Sequence, residues 1–138
     1  MELDFAILAR RVKTTKGMSH CESLGWRSYS MQVFPQCLDA SLLFRADCED
    51  WESALPHTIE IYFLDEHRNK ISTPKGIEVQ LQVGQTHFTS SVGLQDVMIQ
   101  RAGNYTIEFY IDGKRAKTIP FKTRLARAAA SQLAPTVH

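Results

Sequence analysis

The chain has 138 residues, of which 43% are hydrophobic and 22% charged. That is the size of one domain, long enough to bury about two-thirds of its unfolded surface around one core without staples. Sixteen basic residues against fifteen acidic ones leave a formal charge of +1, which gives no general pull on phosphate backbones, and no apolar run approaches the length of a membrane span.

In chain order, the first strand is predicted from Leu3 to Arg11, with Leu3, Phe5, Ile7 and Ala9 on one face and Glu2, Asp4 and Arg10 on the other. Thr14-Thr15-Lys16-Gly17 reads as a turn. A second extended stretch runs from Met18 to about Met31, broken at Gly25 beside Trp26, where a glycine signals a bulge or a close backbone approach. Phe34-Pro35 closes it. Leu38, Ala40, Leu42, Phe44 and Ala46 then alternate with polar residues as a half-buried strand, followed by an acidic loop over 47–56 that contains Trp51. The strand Thr58 to Asp65 turns Ile59, Ile61 and Phe63 inward. Its closing turn reaches Asn69, a residue suited to the left-handed conformation.

Ile77, Val79, Leu81 and Val83 form the cleanest alternation, ended by Gly84. From His87 to Ile99 the parity switches between Leu94 and Val97, which predicts a strand end followed by a crossing segment. The most regular feature comes last. Tyr105, Ile107, Phe109 and Ile111 alternate inward, Asp112-Gly113 makes a hairpin turn, and Ile119 and Phe121 return. Pro120 predicts an edge at that point, since it cannot donate to a ladder. The tail, Arg124 to His138, has helix propensity but is too short for a stable helix alone.

About seven strands without a long helical period predict an all-β, antiparallel β-sandwich over 1–123, with a short helical or frayed tail over 124–138. Gly103 and Tyr105 resemble the tyrosine corner of immunoglobulin-like sandwiches. The second core cysteine of a true immunoglobulin domain would stand two residues after that tyrosine, where this chain has Ile107.

Several segments together resemble a small uncharacterised bacterial β-sandwich family, a domain of unknown function. They are Phe5-Ala6-Ile7-Leu8-Ala9, Gly17, Gly25-Trp26, Phe34-Pro35, the run from Pro56-His57-Thr58 through Leu64-Asp65-Glu66, Gly103-Asn104-Tyr105 through Asp112-Gly113, and Ile119-Pro120-Phe121. The family is usually richer in glycine before the tryptophan, and usually has glycine in the turn where this chain has His67-Arg68-Asn69. The resemblance implies a fold and brings no catalytic residue with it.

Weighed for chemistry, the residues give little. Asp47, Glu49, Asp50 and Glu52 lack the spacing and glycine of an EF-hand loop and read as a solvated acidic loop. His20 and Cys21 are neighbours in a strand and point to opposite faces, which opposes a shared metal ion. There is no G-x-S-x-G elbow, P-loop or G-x-G-x-x-G. Cys21 with His57 or His87 is the one conceivable nucleophilic pair. The basic stretches Arg10, Arg11, Lys13, Lys16 and Lys114, Arg115, Lys117, Lys122, Arg124, Arg127 read as solvated strand edges. No metal, cofactor, nucleic acid or membrane partner is expected. Three cysteines, an odd count without close pairing, suit the reducing cytoplasm, and the acidic N-terminus lacks a secretory signal.

The candidate binding residues are Trp26, Arg27, Tyr29 and Trp51, since Trp, Tyr and Arg dominate contact hot spots. Trp26 either caps the core beside Gly25 or joins the surface, and Trp51 is the better exposed contact. The sequence therefore favours a non-enzymatic interaction module for a protein partner or for itself, pairing through an edge carrying Gln80, Gln82 or Thr118. A carbohydrate- or small-ligand-binding sandwich that stacks its ligand on Trp26, Tyr29 or Trp51 is the second reading, and a small hydrolase the third.

Overall fold

The alternation resolves into strands of β1 (Glu2–Ala9), β2 (Arg11–Thr15), β3 (Met18–Glu22), β4 (Ser28–Met31), β5 (Gln36–Cys37), β6 (Ser41–Asp47), β7 (His57–Asp65), β8 (Lys75–Val79), β9 (His87–Gly93), β10 (Met98–Ile99), β11 (Gly103–Ile111) and β12 (Lys114–Leu125). The structure is a computed structural model that describes residues 1–15, 18–52 and 54–126, with the side chains of 11–22 set aside. One sheet has the order β1-β6-β9 and the other β4-β12-β11-β7-β8, with β2–β3 and β5–β10 as short separate pairs. Among the described residues every strand pair is antiparallel except β4 with β12.

The two main sheets share one apolar core. Phe44 of β6 meets Phe109 of β11 with ring centroids 5.0 Å apart. Leu42, Phe44, Ile59, Ile61, Phe63, Ile107 and Phe109 are all essentially sealed from solvent. Each such side chain contributes about 1.5–3 kcal/mol when fully buried, so the core needs no inter-sheet bridge. Ile107 occupies the place a core cysteine would take, and Cys37 and Cys48 are both free.

The inward faces of β6, β7 and the β11–β12 hairpin follow their alternation. Asp112 (φ 51°) and Gly113 (φ 80°) form the turn between β11 and β12 with the left-handed pair that two-residue hairpins require. Tyr105 donates its hydroxyl to the carbonyl of Arg101, four residues upstream, and so ties the strand start to the connection before it. The crossing after β9 is also present: Leu94 to Val97 carries the chain across, and β10 begins at Met98.

Four expectations are corrected. In β1 the buried residues are Ala6, Leu8 and Ala9; of the face expected inward only Ala9 is buried, while Leu3, Phe5 and Ile7 are half-buried. Pairing with β6 shifts register between Leu3 and Phe5, and one extra residue there turns Ala6 and Leu8 inward in place of Phe5 and Ile7. Val83 is not inward but 87% exposed, because β8 ends at Val79 and the rhythm continues into the turn at Gly84. The left-handed residue of the β7–β8 turn is Arg68 (φ 68°), not Asn69. Finally, Arg124 and Leu125, expected in the tail, belong to β12, which pairs with β4 from Lys122 to Leu125; at Pro120 the strand is an edge, as its missing N–H predicts. Residues 127–138 of the tail lie outside the described residues, as do Lys16 and Gly17 of the first turn.

Gly25 shows the close approach its position suggested. Its N–H donates to the Leu8 carbonyl over 2.6 Å, its φ is +76°, and a Cβ there would stand 3.7 Å from Ile7 Cγ2. The Gly25-Trp26 segment therefore lies along β1.

Candidate functional site

Of the four expected contact residues, the structure does not make one surface. Tyr29 is corrected to a core residue, only 7% exposed. The parity of β4 turns it inward opposite Thr123 of β12, its hydroxyl accepts the Asp39 N–H at 3.2 Å, and the Arg10 guanidinium covers its ring at 4.7 Å. Trp26 is half-buried, with its ring 5.3 Å from Tyr29 and 5.7 Å from Phe121. Its indole Nε1 is covered and has no hydrogen-bond partner among the described residues. Trp26 caps the core. Arg27 alone of this trio is open to solvent, at the rim of a cleft of about 270 Å³ lined by Ile7, Trp26 and Lys117.

Trp51 is different. It sits in a 3₁₀ turn, Asp50–Glu52, and is 75% exposed. Leu55 in the same loop and Val83 in the loop before β9 are exposed as well. Backbone and side-chain bonds hold the two loops together: the Cys48 N–H donates to the Thr86 carbonyl at 2.8 Å, and Gln80 Nε2 donates to the Ala54 carbonyl at 2.8 Å. The end of the molecule where β6 leaves and β9 enters therefore carries three exposed apolar side chains.

Beneath this loop lies His57, which is buried. Its Nδ1 meets Asp112 Oδ2 at 2.8 Å and its Nε2 meets the Glu52 carbonyl at 3.0 Å. Asp112 Oδ1 also accepts the Thr58 N–H at 2.9 Å. Burial raises the Asp112 pKa, but the bonds from His57 and Thr58 outweigh it and hold the carboxyl below its ordinary range. With both ring nitrogens engaged, His57 clamps the Trp51 loop to the hairpin turn. Burial pushes the nearby Cys48 thiol up, away from the thiolate. The side chains of His20 and Cys21, weighed together as metal ligands, lie outside the described residues, and with them Cys21 as a nucleophile for His57 or His87. Among the described residues no group of three His, Cys, Asp or Glu is placed to hold a metal ion.

Strand β9 forms one edge of the three-stranded sheet. His87-Phe88-Thr89-Ser90-Ser91-Val92-Gly93 pairs with β6 along its whole length without a register shift. It contains no proline, lysine, arginine or carboxylate. The other edges carry the usual protection: β1 has Glu2, Asp4 and its bulge, β8 has Lys75 and Glu78, and β4 is four residues long. Of the edge residues expected from the sequence, Gln80 and Gln82 are corrected, since they lie beyond the end of β8; Thr118 pairs with Glu108 of β11 on the stretch of β12 that precedes its pairing with β4.

A second constellation, which the sequence reading missed, occupies the outward face of β7 and β11. Register pairs Glu60 with Tyr110 and Tyr62 with Glu108. Each tyrosine donates its hydroxyl to the glutamate two residues earlier on its own strand: Tyr62 to Glu60 at 2.8 Å and Tyr110 to Glu108 at 3.2 Å. The rings meet edge-on with centroids 5.2 Å apart, and Lys70 Nζ stands 5.2 Å from the Tyr62 ring. Glu108 is 3% exposed, and its Oε2 accepts from Arg68 Nη2 at 2.8 Å and Arg115 Nη1 at 3.3 Å. Burial raises the Glu108 pKa, but Arg68 first, then Arg115 and Tyr110, bring it below the ordinary carboxylate range. The bond donated to Glu60 is the main influence that lifts the Tyr62 phenol. The signal was present: Glu-Ile-Tyr at 60–62 and Glu-Phe-Tyr at 108–110 repeat one spacing on two neighbouring strands.

With this geometry in hand, a family model described as a family of unknown function, DUF6941, matches residues 4–124. No curated protein matches the chain. No helix among the described residues is long and apolar enough to cross a membrane.

Proposed function

We propose, from the premise that the chain belongs to DUF6941, that it is a non-enzymatic interaction module. It takes an extended segment of a protein partner, a second copy included, along the free edge of β9. The observation that carries this reading is that edge, which has no second ladder partner among the described residues and starts at the end of the molecule that carries the exposed Trp51, Leu55 and Val83. Main-chain groups of an unpaired edge supply affinity to an added strand, and flanking aromatic anchors supply specificity. The hydrogen bonds that tie the two loops and the His57 clamp hold this end in place before binding, which lowers the ordering cost.

The immunoglobulin-like character of the sandwich is part of the same proposal, supported by the bond from Tyr105 to Arg101. So is a bacterial, reducing cytoplasm, supported by the motif order and the free Cys37 and Cys48. The stacking-platform reading loses Trp26 and Tyr29 to the core and keeps only Trp51. The hydrolase reading rested on Cys21 with His57 or His87, and the Cys21 side chain lies outside the described residues.

Light scattering on the eluting protein, together with capture of partners, tests the edge. Thr89→Lys with Ser91→Lys places two cations on exposed positions of β9, and Trp51→Ala removes the anchor. Self-association or a captured partner should be lost in both variants while far-ultraviolet dichroism is unchanged. A monomer that captures nothing, or an association that survives both variants, sinks the proposal.

A further inference from the structure

β1 and β12 run along the seam where the two sheets part, and a cleft of about 270 Å³ lies between them. Ile7, Trp26 and Ile119 give it apolar walls, and its charged lining residues are Arg27 and Lys117. No carboxylate lines it among the described residues. Two like charges on one apolar cleft add nothing to stability, and together they complement an anion.

The fold leaves both cations with donors to spare. Lys117 Nζ donates to the Ala6 carbonyl at 3.1 Å, which takes one of its three N–H groups and draws the ammonium across the seam. Arg27 is exposed, and it is anchored through its main chain, where its carbonyl accepts the Lys122 N–H at 2.8 Å.

That same bond orients the edge of β12. The Lys122 N–H points away from β11, and the register with β11 is unbroken from Lys117 to Thr123, so the main-chain groups of Thr118 and Pro120 point the same way. β4 pairs with β12 only from Lys122 onward. The Thr118 N–H and carbonyl therefore face the seam with no strand opposite them among the described residues. Pro120 has no N–H with which to extend a ladder past them. One donor and one acceptor are open there, beside two cations and an apolar wall.

We propose that this cleft takes the carboxylate end of an acylated apolar amino acid, either free or as the last residue of a peptide, at a site separate from the β9 edge. A carboxylate oxygen accepts from the Thr118 N–H, and the ligand's amide N–H donates to the Thr118 carbonyl, the reciprocal pair that facing strand residues make. Arg27 and Lys117 hold the carboxylate charge. The ligand's side chain lies against Ile7, Trp26 and Ile119, in a volume just below the about 300–1,000 Å³ of sites for larger ligands. A neutral ligand would leave both cations unanswered, and an acid without the amide would leave the Thr118 carbonyl unpaired.

Amide-resolved NMR titration tests the site with N-acetylphenylalanine, its neutral amide, and 3-phenylpropionate, which has no N–H. Saturable shifts with N-acetylphenylalanine are expected at the Trp26 indole N–H and at the amides of Ile7 and Thr118. The neutral amide should bind at least about tenfold less tightly, through loss of the charged hydrogen bonds, and 3-phenylpropionate about threefold less tightly, through loss of one neutral bond. Arg27→Glu leaves the main-chain bond to Lys122 in place and should weaken N-acetylphenylalanine at least about tenfold, with the rest of the spectrum unchanged. Tighter binding of N-acetylglycylglycylphenylalanine than of N-acetylphenylalanine identifies a peptide end, and equal binding a free acid. No saturable shift, equal binding of the neutral amide or of 3-phenylpropionate, or unchanged binding in the Arg27→Glu protein would overturn the site. None of these outcomes depends on Trp51 or the β9 edge.

Discussion

Phe109 and Glu108 are adjacent on β11 and almost equally hidden from water, yet nothing about their cover is alike. Phe109 faces the opposite sheet and touches Phe44 across the core. Glu108 faces outward between Tyr62 and Thr118, with the side chains of Arg68, Arg115 and Tyr110 bonded to its carboxylate. The first kind of burial is backed by a whole layer of structure. The second is one side chain thick. Fractional exposure alone would score the two positions as the same, so the identity of the covering groups is what separates core from outer face.

The largest expected effect is on the inner face. Phe109→Ala should cost about 3–5 kcal/mol in chemical denaturation, the range for emptying a well-packed aromatic position. A cost under about 1 kcal/mol would mean the sheets do not share that core. Glu108→Ala should cost less, about 1–2 kcal/mol, because both arginines can return to water instead of being stranded. Equal costs for the two variants would erase the distinction between the faces.

A titration sharpens it further. Glu108 and Asp112 both have folded pKa values below their ordinary 4.5 and 3.8. A carboxyl depressed on folding adds stability that is present in full above its unfolded value and is lost as pH falls through the folded one. Urea midpoints measured downward from neutral pH should therefore begin to fall near pH 4.5. The fall should be shallower in Glu108→Gln and in Asp112→Asn, where asparagine still tolerates the left-handed turn position. An unchanged acid limb in both variants would contradict the bonding described for the two groups. The smallest effect is expected at the rim, where Trp51→Ala should move stability by no more than about 0.5 kcal/mol in the same assay.

What the sequence disclosed follows from which interactions are local. Ile59, Ile61 and Phe63, like Tyr105 through Ile111, lie in runs where side-chain period and strand period agree, so their faces could be read directly. The hairpin turn was legible because Asp-Gly has few other uses there. β1 misled because a bulge leaves no composition signal, and Val83 because an apolar rhythm can outlast its strand. Tyr29 looked like a contact residue until its pairing with β12 fixed which way β4 faces. The status of β9 as an edge was invisible, since the neighbours of a strand are set by residues far away in the chain. The outward constellation was half legible: the repeated Glu-x-Tyr spacing was in view, but only the register of β7 on β11 brings the two copies together.

The contrasting surroundings of the two tryptophans have a practical consequence. Trp26, packed on Tyr29 and Phe121, should emit at short wavelength and lose that signature only when the core melts. Trp51, open to solvent, should emit at long wavelength and respond to quenchers and to anything that docks beside it. Because Trp51→Phe leaves a single fluorophore inside and Trp26→Phe a single one outside, unfolding and docking become separable optical channels in an unlabelled protein.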